Sequence, residues 1–214
     1  MDKLRNYIKL VLNGVLVMPF TLKQALKLSL SIAAALLISL SIRSYAFAAA
    51  EVKQCSMENT LYDGQRLIEN KLEYLYSQPK KGDIIIINQK AQSGIINTFI
   101  ANTKEFIEGF YKKEEGKNRL IKRVIGVPGD TFDIKEGKVF LNGEALNEPY
   151  VKGKTYANGM MFPIIIGDNE YFVMGDNREN SMDSRYLGLI SKDKIEGKVE
   201  IRLWPFDKAG GIYG

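Results

Sequence analysis

The chain has 214 residues, of which 45% are hydrophobic and 26% are charged. This composition suits one folded domain with an appendage and excludes an intrinsically disordered protein. The chain contains no His and a single Cys, Cys55. Intrachain disulfides, Cys-rich or His-ligated metal sites and His-dependent catalytic groups are therefore excluded, and any hydrolytic base must be Lys, Asp, Glu or Tyr.

The net charge of +5 is concentrated at the N-terminus. Residues 1–43 contain six basic residues and one acidic residue, whereas residues 44–214 contain 24 of each sign. A main domain without net charge argues against a nucleic-acid groove, so we expect no nucleic-acid partner. The basic N-terminal segment instead predicts contact with the anionic surface of a lipid bilayer.

The first predicted element is an apolar helix. Residues 25–42 are almost wholly apolar, and their length approaches the ~20 residues that a helix needs to cross a bilayer. Most of the flanking basic residues precede this segment, which predicts a cytoplasmic N-terminus by the positive-inside rule. We therefore predict a cytoplasmic tail over residues 1–24, a single transmembrane helix over residues 25–43 and an extracytoplasmic domain over residues 44–214, all in a protein of the cell membrane.

A cleaved signal peptide is the alternative interpretation of this segment. The uncharged run Leu28–Ile42 would be its apolar core, and Ala46-Phe47-Ala48 or Ala48-Ala49-Ala50 would be its cleavage site. The preceding basic region is long for a signal peptide, and Arg43 stands between the apolar core and the cleavage site. Both features favour an anchor that stays on the protein.

Beyond Ser56 the pattern predicts mostly β-strands separated by turns, several of which contain Gly-Asp. One amphipathic helix is predicted over residues 96–112, either packed on the sheet or lying on the membrane. The predicted strands are rich in β-branched residues or bounded by turn signals: Arg66–Ile68, Ile84–Ile87, Leu120–Ile125, Thr131–Ile134, Lys138–Leu141, Tyr171–Met174 and Lys198–Leu203.

Lys122 is the candidate catalytic base, which would take the proton from a Ser nucleophile. Ser is a weak nucleophile until a base takes its proton, and burial in apolar surroundings lowers the pKa of a Lys so that it serves as that base. Strand alternation places Lys122 on the face of Leu120 and Val124, and places Arg123 on the opposite face. The ordinary alternative is a Lys on an exposed edge strand.

A polar stretch follows the predicted strand Tyr171–Met174. Residues 175–188 contain two Asp, several Asn and Ser, and two Arg. A solvent-exposed loop has a similar composition. The density of donors and acceptors also suits a buried hydrogen-bond network that supports a reactive site.

Four motifs together resemble type I signal peptidases. They are Ser-Met-Glu-Asn-Thr-Leu at 56–61, Lys-Lys-Gly-Asp-Ile-Ile at 80–85, Ile-Lys-Arg-Val-Ile-Gly-Val-Pro-Gly-Asp at 121–130, and Gly-Asp-Asn-Arg at 175–178 leading to Asp-Ser-Arg at 183–185. The resemblance covers nearly all of residues 25–205. It implies a mainly β fold of antiparallel sheets forming a signal-peptidase-type catalytic domain, preceded by one N-terminal transmembrane helix.

The resemblance also implies a Ser-Lys dyad that cleaves signal peptides from exported pre-proteins after small residues, in the Ala-X-Ala pattern. Ser56 matches the nucleophile and Lys122 matches the general base. The backbone N–H of Ser56 matches a donor of the oxyanion hole. The supporting positions are Ser181, which matches a serine bonded to the lysine, Asp183 and its ion partner Arg185, and a second pair, Arg123 and Asp176. No cofactor and no metal are implied.

Two positions depart from the family pattern. The family usually has Pro where Asn59 stands, and a small residue where Gln54 stands. In some members a Ser hydroxyl at the latter position completes the oxyanion hole, so the Gln54 amide is the corresponding donor here. These departures raise the alternative of a weak or inactive protein that binds signal peptides on the same fold. A self-cleaving Ser-Lys regulator is disfavoured by the apolar N-terminal segment and the long motif at 175–185.

Overall fold

The computed structural model describes residues 22–89 and 119–213. The helix predicted over residues 96–112 lies outside the described residues. The chain divides into two units, Met1–Ser41 and Ile42–Gly214.

Helix α1 runs from Leu22 to Tyr45 and includes the segment in which an apolar helix was predicted. Within residues 22–89 and 119–213, no helix is both long enough and apolar enough to cross a membrane. The helix itself is thus confirmed and the predicted span is not. Its described Leu and Ile side chains are more than half exposed, namely Leu26, Leu28, Leu30, Ile32, Leu36, Leu37 and Ile38.

A large antiparallel sheet forms the centre of the second unit. Its strand order is β1-β2-β11-β3-β4-β9-β10, and β12 pairs with β11. The strands are β1 (Phe47–Glu51), β2 (Arg66–Asn70), β3 (Ile84–Asn88), β4 (Arg119–Gly126), β9 (Glu170–Met174), β10 (Ile190–Ser191), β11 (Ile195–Trp204) and β12 (Gly210–Gly211).

A smaller antiparallel sheet has the order β7-β6-β5-β8. It is inserted in the chain between β4 and β9, and β5 and β6 pair as an antiparallel hairpin around Lys135-Glu136-Gly137. The remaining elements are short helices. The small sheet consists of β5 (Thr131–Lys135), β6 (Lys138–Leu141), β7 (Glu144–Ala145) and β8 (Ile164–Ile165), and the helices are α2 (Glu73–Tyr76), α3 (Ser184–Leu187) and the 3₁₀ turns Lys192–Lys194 and Phe206–Lys208.

All seven predicted strands are present, which confirms the mainly β prediction for the described residues. The pattern missed the alanine-rich β1 and the two-residue strands, because these are defined by their partners rather than by their own residues. Strand β3 is buried throughout Ile84–Ile87, as a β-branched run covered on both faces should be. In β4, Leu120 and Val124 pack in a different apolar cluster from Ile121, so the predicted alternation is confirmed.

Strand β4 is the element that positions the candidate site. It pairs with β3 from Arg119 to Arg123 and with β9 from Arg123 to Gly126. Strand β9 ends at Met174, opposite Arg123. Lys122 therefore lies on a central strand at the point where β9 gives way to the polar stretch 175–188, rather than on an exposed edge.

Candidate active site

The turn that contains Ser56 is anchored by its apolar neighbours. Met57 and Leu61 are buried in the same cluster as Ile84 and Ile86, and the Leu61 N–H donates to the Met57 carbonyl at 2.7 Å. These contacts hold the turn against the large sheet. Ser56 itself is 8% exposed, so its side chain sits at the edge of the protein interior.

Ser56 and Lys122 lie side by side. The Lys122 Nζ is 2.6 Å from the Ser56 Oγ, although the two residues are 66 positions apart in the chain. Lys122 is 2% exposed, and its Nζ also donates to the Ile121 carbonyl at 3.1 Å. The distance allows direct proton transfer between the hydroxyl and the amine.

The environment of Lys122 favours the neutral amine. Burial is the main cause and lowers the pKa of Lys122 to about 8, with a smaller effect in the same direction from the Arg185 guanidinium. The carboxylates of Asp183 and Asp176 oppose this change because they favour the ammonium form. At mildly alkaline pH a large fraction of Lys122 is therefore free to accept a proton.

Asp183 and Arg185 form a buried ion pair. The Arg185 Nε and Nη2 donate to the two carboxylate oxygens of Asp183, each at 2.9 Å, and both side chains are fully buried. Burial by itself raises the pKa of Asp183, but the bonds from Arg185 and from the Gly175 N–H outweigh it and lower that pKa. Asp183 is thus an anion that holds the chain at Gly175.

Ser181 does not make the hydrogen bond that the resemblance implied. Its Oγ is buried and meets no described acceptor or donor with full hydrogen-bond geometry, although the hydroxyl is near enough to Asp183 to help lower the pKa of that carboxyl. It lies next to Gly175, where an added Cβ would be 2.3 Å from the Ser181 Oγ and 2.4 Å from the Ser56 carbonyl oxygen. Ser181 is therefore packed beside the Ser56 turn without a bond to Lys122.

Arg123 and Asp176 form the second pair. The Arg123 Nε and Nη2 donate to the two carboxylate oxygens of Asp176 at 2.8 and 2.7 Å, and the guanidinium stacks 3.9 Å from the centre of the Tyr150 ring. Thr60 donates its hydroxyl to the same carboxylate. The pair joins β4, the Ser56 turn and the loop after β9.

Within the two described ranges, no cluster of His, Cys, Asp or Glu is arranged to hold a metal ion.

The two unusual positions near Ser56 share a backbone feature. Gln54 and Asn59 both have positive φ angles, 108° and 87°. Pro is fixed near −65° and cannot adopt the Asn59 conformation, so the turn here differs from one built on Pro. Asn tolerates this region, and its Nδ2 donates to the Val151 carbonyl at 3.2 Å. The side chain of Gln54 is exposed, while its N–H donates to Asp63 at 2.9 Å.

Three residues near Ser56 were missed by sequence reasoning. Asn177 donates to the Ser56 carbonyl through its N–H and to the Cys55 carbonyl through its Nδ2. Glu58 and Lys152 pair with each other beside it. Asn177 lies in a motif that sequence analysis did identify. Nothing in the pattern around Lys152 indicates that it meets Glu58, which is 94 residues away.

A family model described as signal peptidase, peptidase S26, matches residues 25–204 of this chain. The chain belongs to this family. It is a serine peptidase, and its relatives agree with that assignment.

Two curated relatives illustrate the match. A probable signal peptidase I-2 from Synechocystis sp. is 33% identical over 186 residues, which cover 86% of this chain and 76% of that protein. Signal peptidase I T from Bacillus subtilis is 36% identical over 187 residues, covering 83% and 84% respectively.

A solved structure of a signal peptidase I from Enterococcus faecalis aligns with 57% of this chain and 97% of that chain. Its sequence identity is 23% and its TM-score is 0.39. At this level of structural similarity, the family assignment rests on the sequence matches.

Proposed function

We propose that this peptidase removes signal peptides from exported pre-proteins, cutting after small residues in the Ala-X-Ala pattern. Ser56 is the nucleophile and Lys122 is the general base. The observation that carries the proposal is the 2.6 Å separation of the Ser56 Oγ and the buried Lys122 Nζ, in a chain without His. The names of the relatives, all signal peptidases, support the substrate class.

In the acylation step, neutral Lys122 accepts the Ser56 hydroxyl proton as Oγ attacks the carbonyl carbon of the scissile bond. The negative charge on the carbonyl oxygen is stabilised by the Ser56 N–H, with the Gln54 amide as the second proposed donor. Lys122 then returns the proton to the leaving amine. The peptide bond breaks, and the signal peptide remains as an ester on Ser56.

In the deacylation step, Lys122 takes a proton from water, whose oxygen attacks the ester carbonyl. The ester breaks, the proton passes to Ser56 and the signal peptide leaves as a carboxylic acid. Asp183, Arg185 and Ser181 contribute indirectly, because they fix the chain around Gly175 against the Ser56 turn. Arg123 and Asp176 fix the opposite side of the turn through Thr60.

The direct test is cleavage of a pre-protein with an Ala-X-Ala site by the full chain. Ser56→Ala and Lys122→Ala should each abolish cleavage, whereas Lys194→Ala, which changes an exposed lysine, should not. Replacing the Ala before the cut with Leu should prevent cleavage by the wild type. Near-normal turnover in either dyad variant would refute the assignment of Ser56 and Lys122.

The same assay distinguishes a peptidase from the alternative, a protein that binds signal peptides without cleaving them. A wild-type protein that binds the signal peptide without cleaving it would favour that alternative. Binding without turnover by Ser56→Ala, beside full turnover by the wild type, would favour the peptidase.

We also propose that α1 attaches the protein to the bilayer, with residues 44–214 on the extracytoplasmic side. The exposed apolar side chains along α1, such as Leu30 at 70% and Leu26 at 68%, support the attachment of α1 to the bilayer. So does the excess of basic residues in the first 43 positions. Lipid would cover the apolar surface that the protein itself leaves exposed.

Cys55 provides the test of this topology, because it is exposed and is the only Cys of the chain. A membrane-impermeant maleimide added to intact cells should label the wild type and not Cys55→Ser. A matched variant, Cys55→Ser with Asn6→Cys, should be labelled only after the cells are opened. Labelling of Asn6→Cys in intact cells would contradict the proposed orientation.

A further inference from the structure

Asn177 holds the peptide groups on both sides of the nucleophile. It follows β9 and is 2% exposed. Its backbone N–H donates to the Ser56 carbonyl at 3.0 Å, and its side-chain Nδ2 donates to the Cys55 carbonyl at 3.1 Å. Two successive carbonyl groups, one before and one after the Ser56 side chain, are therefore fixed by one residue.

The Cys55 carbonyl belongs to the same peptide group as the Ser56 N–H. A trans peptide is planar, and its C=O and N–H point in opposite directions. Holding the carbonyl toward Asn177 consequently turns the Ser56 N–H away from Asn177. The structure gives this N–H no acceptor among the described residues, so it is available to an incoming carbonyl oxygen.

A neighbouring ion pair orients the Asn177 amide. The Glu58 Oε2 accepts from Asn177 Nδ2 at 3.2 Å and from Lys152 Nζ at 2.7 Å. Because the Glu58 carboxylate accepts from the Asn177 Nδ2, the NH₂ group of the Asn177 amide faces the Ser56 turn. The main chain of Lys152 is bonded to both neighbours of Asn177 in the sequence. Its N–H donates to the Asp176 carbonyl, and its carbonyl accepts from the Arg178 N–H.

We propose that Asn177, oriented by the Glu58–Lys152 ion pair, is a positioning residue that sets the direction of the Ser56 N–H in the oxyanion hole. This inference rests on the proposed function, which assigns that N–H to the oxyanion. An oxyanion donor acts on charge that develops only in the transition state. Loss of its alignment should therefore lower kcat and leave KM nearly unchanged.

The test measures kcat, KM and the pH profile of the full chain on an Ala-X-Ala pre-protein. Asn177→Asp keeps the shape of the side chain but replaces the donor with an acceptor, and should lower kcat about 10- to 100-fold with KM within about twofold. The apparent pKa of the profile should stay at the wild-type value in Asn177→Ala, which removes the donor without adding a charge near Lys122.

Two further variants, at the partly exposed positions Glu58 and Lys152, keep the test informative if Asn177→Asp folds poorly. Glu58→Gln and Lys152→Met should each lower kcat about 3- to 10-fold. Adding Glu58→Gln to Asn177→Ala should cause no further loss, because Glu58 acts through Asn177. Lys135→Met is the matched control, since it breaks the 2.6 Å pair with Asp133 in the small sheet and should leave kcat unchanged.

The outcomes separate this inference from the proposed function. Wild-type kcat in Asn177→Asp, with cleavage still abolished in Ser56→Ala, would overturn the positioning role alone. A loss in Asn177→Asp that appears as raised KM and a lowered melting temperature, with wild-type kcat in Glu58→Gln and Lys152→Met, would also overturn it. Normal cleavage by Ser56→Ala would overturn the proposed function instead.

Discussion

If Lys122 is the general base, as proposed, it determines how activity depends on pH. Its pKa is lowered to about 8, and only the neutral amine accepts the Ser56 proton. The value of kcat/KM should therefore rise about tenfold per pH unit below pH 8 and level off above it. Rates measured from pH 6 to 10 check this expectation.

The control for this profile is the substrate itself, which should contain no group that titrates between pH 7 and 9. A plateau that begins below pH 6 would contradict the assignment of Lys122, because the amine would then be protonated over most of the active range.

Asn59 is a second single residue with a testable effect, in this case on the stability of the protein. Its φ of 87° is closed to Pro, and its Nδ2 bond to Val151 has no equivalent in a Pro side chain. We expect Asn59→Pro to destabilise the protein by about 2–4 kcal/mol, whereas Asn59→Gly should cost about 1 kcal/mol or less. Thermal or denaturant unfolding of the two variants measures the difference.

An Asn59→Pro variant as stable as the wild type would mean that the turn also accommodates a conformation with negative φ. In that case the loss of the family's usual Pro would have little structural consequence.

At the level of elements, the end of β9 meets the Ser56 turn at Gly175. A Cβ at this position would lie 2.4 Å from the Ser56 carbonyl oxygen, far inside van der Waals contact. We expect Gly175→Ala to displace the Ser56 turn, lower kcat/KM by at least about 100-fold and cost about 1–3 kcal/mol of stability. Kinetics and melting temperature should be measured on the same preparations.

Gly211→Ala is the matched control for this substitution. Gly211 also has an ordinary φ, and an added Cβ there would have no neighbour closer than 3.9 Å. Equal activity in the two alanine variants would show that the approach of β9 to the turn does not constrain the nucleophile.

For the whole molecule, a buried ion pair joins the segment after β7 to the loop after β9. Arg178 is fully buried and donates to both carboxylate oxygens of Glu148, and its Nη1 also donates to Thr155 at 2.7 Å. Glu148→Ala leaves this guanidinium buried without its counter-ion. We expect a loss of about 3–5 kcal/mol in the free energy of unfolding.

Glu144→Ala, at an exposed position of β7, should change stability by less than about 0.5 kcal/mol. Replacing Glu148 and Arg178 together by Met should recover part of the loss, because no unpaired charge remains. A Glu148→Ala protein with wild-type stability would show that Arg178 finds another partner or solvent.

The sequence alone predicted the seven strands and the opposite orientation of Lys122 and Arg123. Both predictions depend on local rules, namely β-branched composition and the two-residue period of a strand. The absence of His likewise required a different base. Lys122 was the best candidate, because a Lys within an apolar strand is the one that burial converts to a neutral amine.

Only the tertiary structure brought the Lys122 Nζ within 2.6 Å of the Ser56 Oγ, left Ser181 without its expected bond to Lys122 and placed Asn177 against the Cys55 carbonyl. These features depend on contacts between residues far apart in the chain, whose register and distance no local pattern specifies. The positive φ of Asn59 has the same origin, because the turn closes against Val151. The sequence thus predicted which groups would do the chemistry, and packing decided where those groups lie.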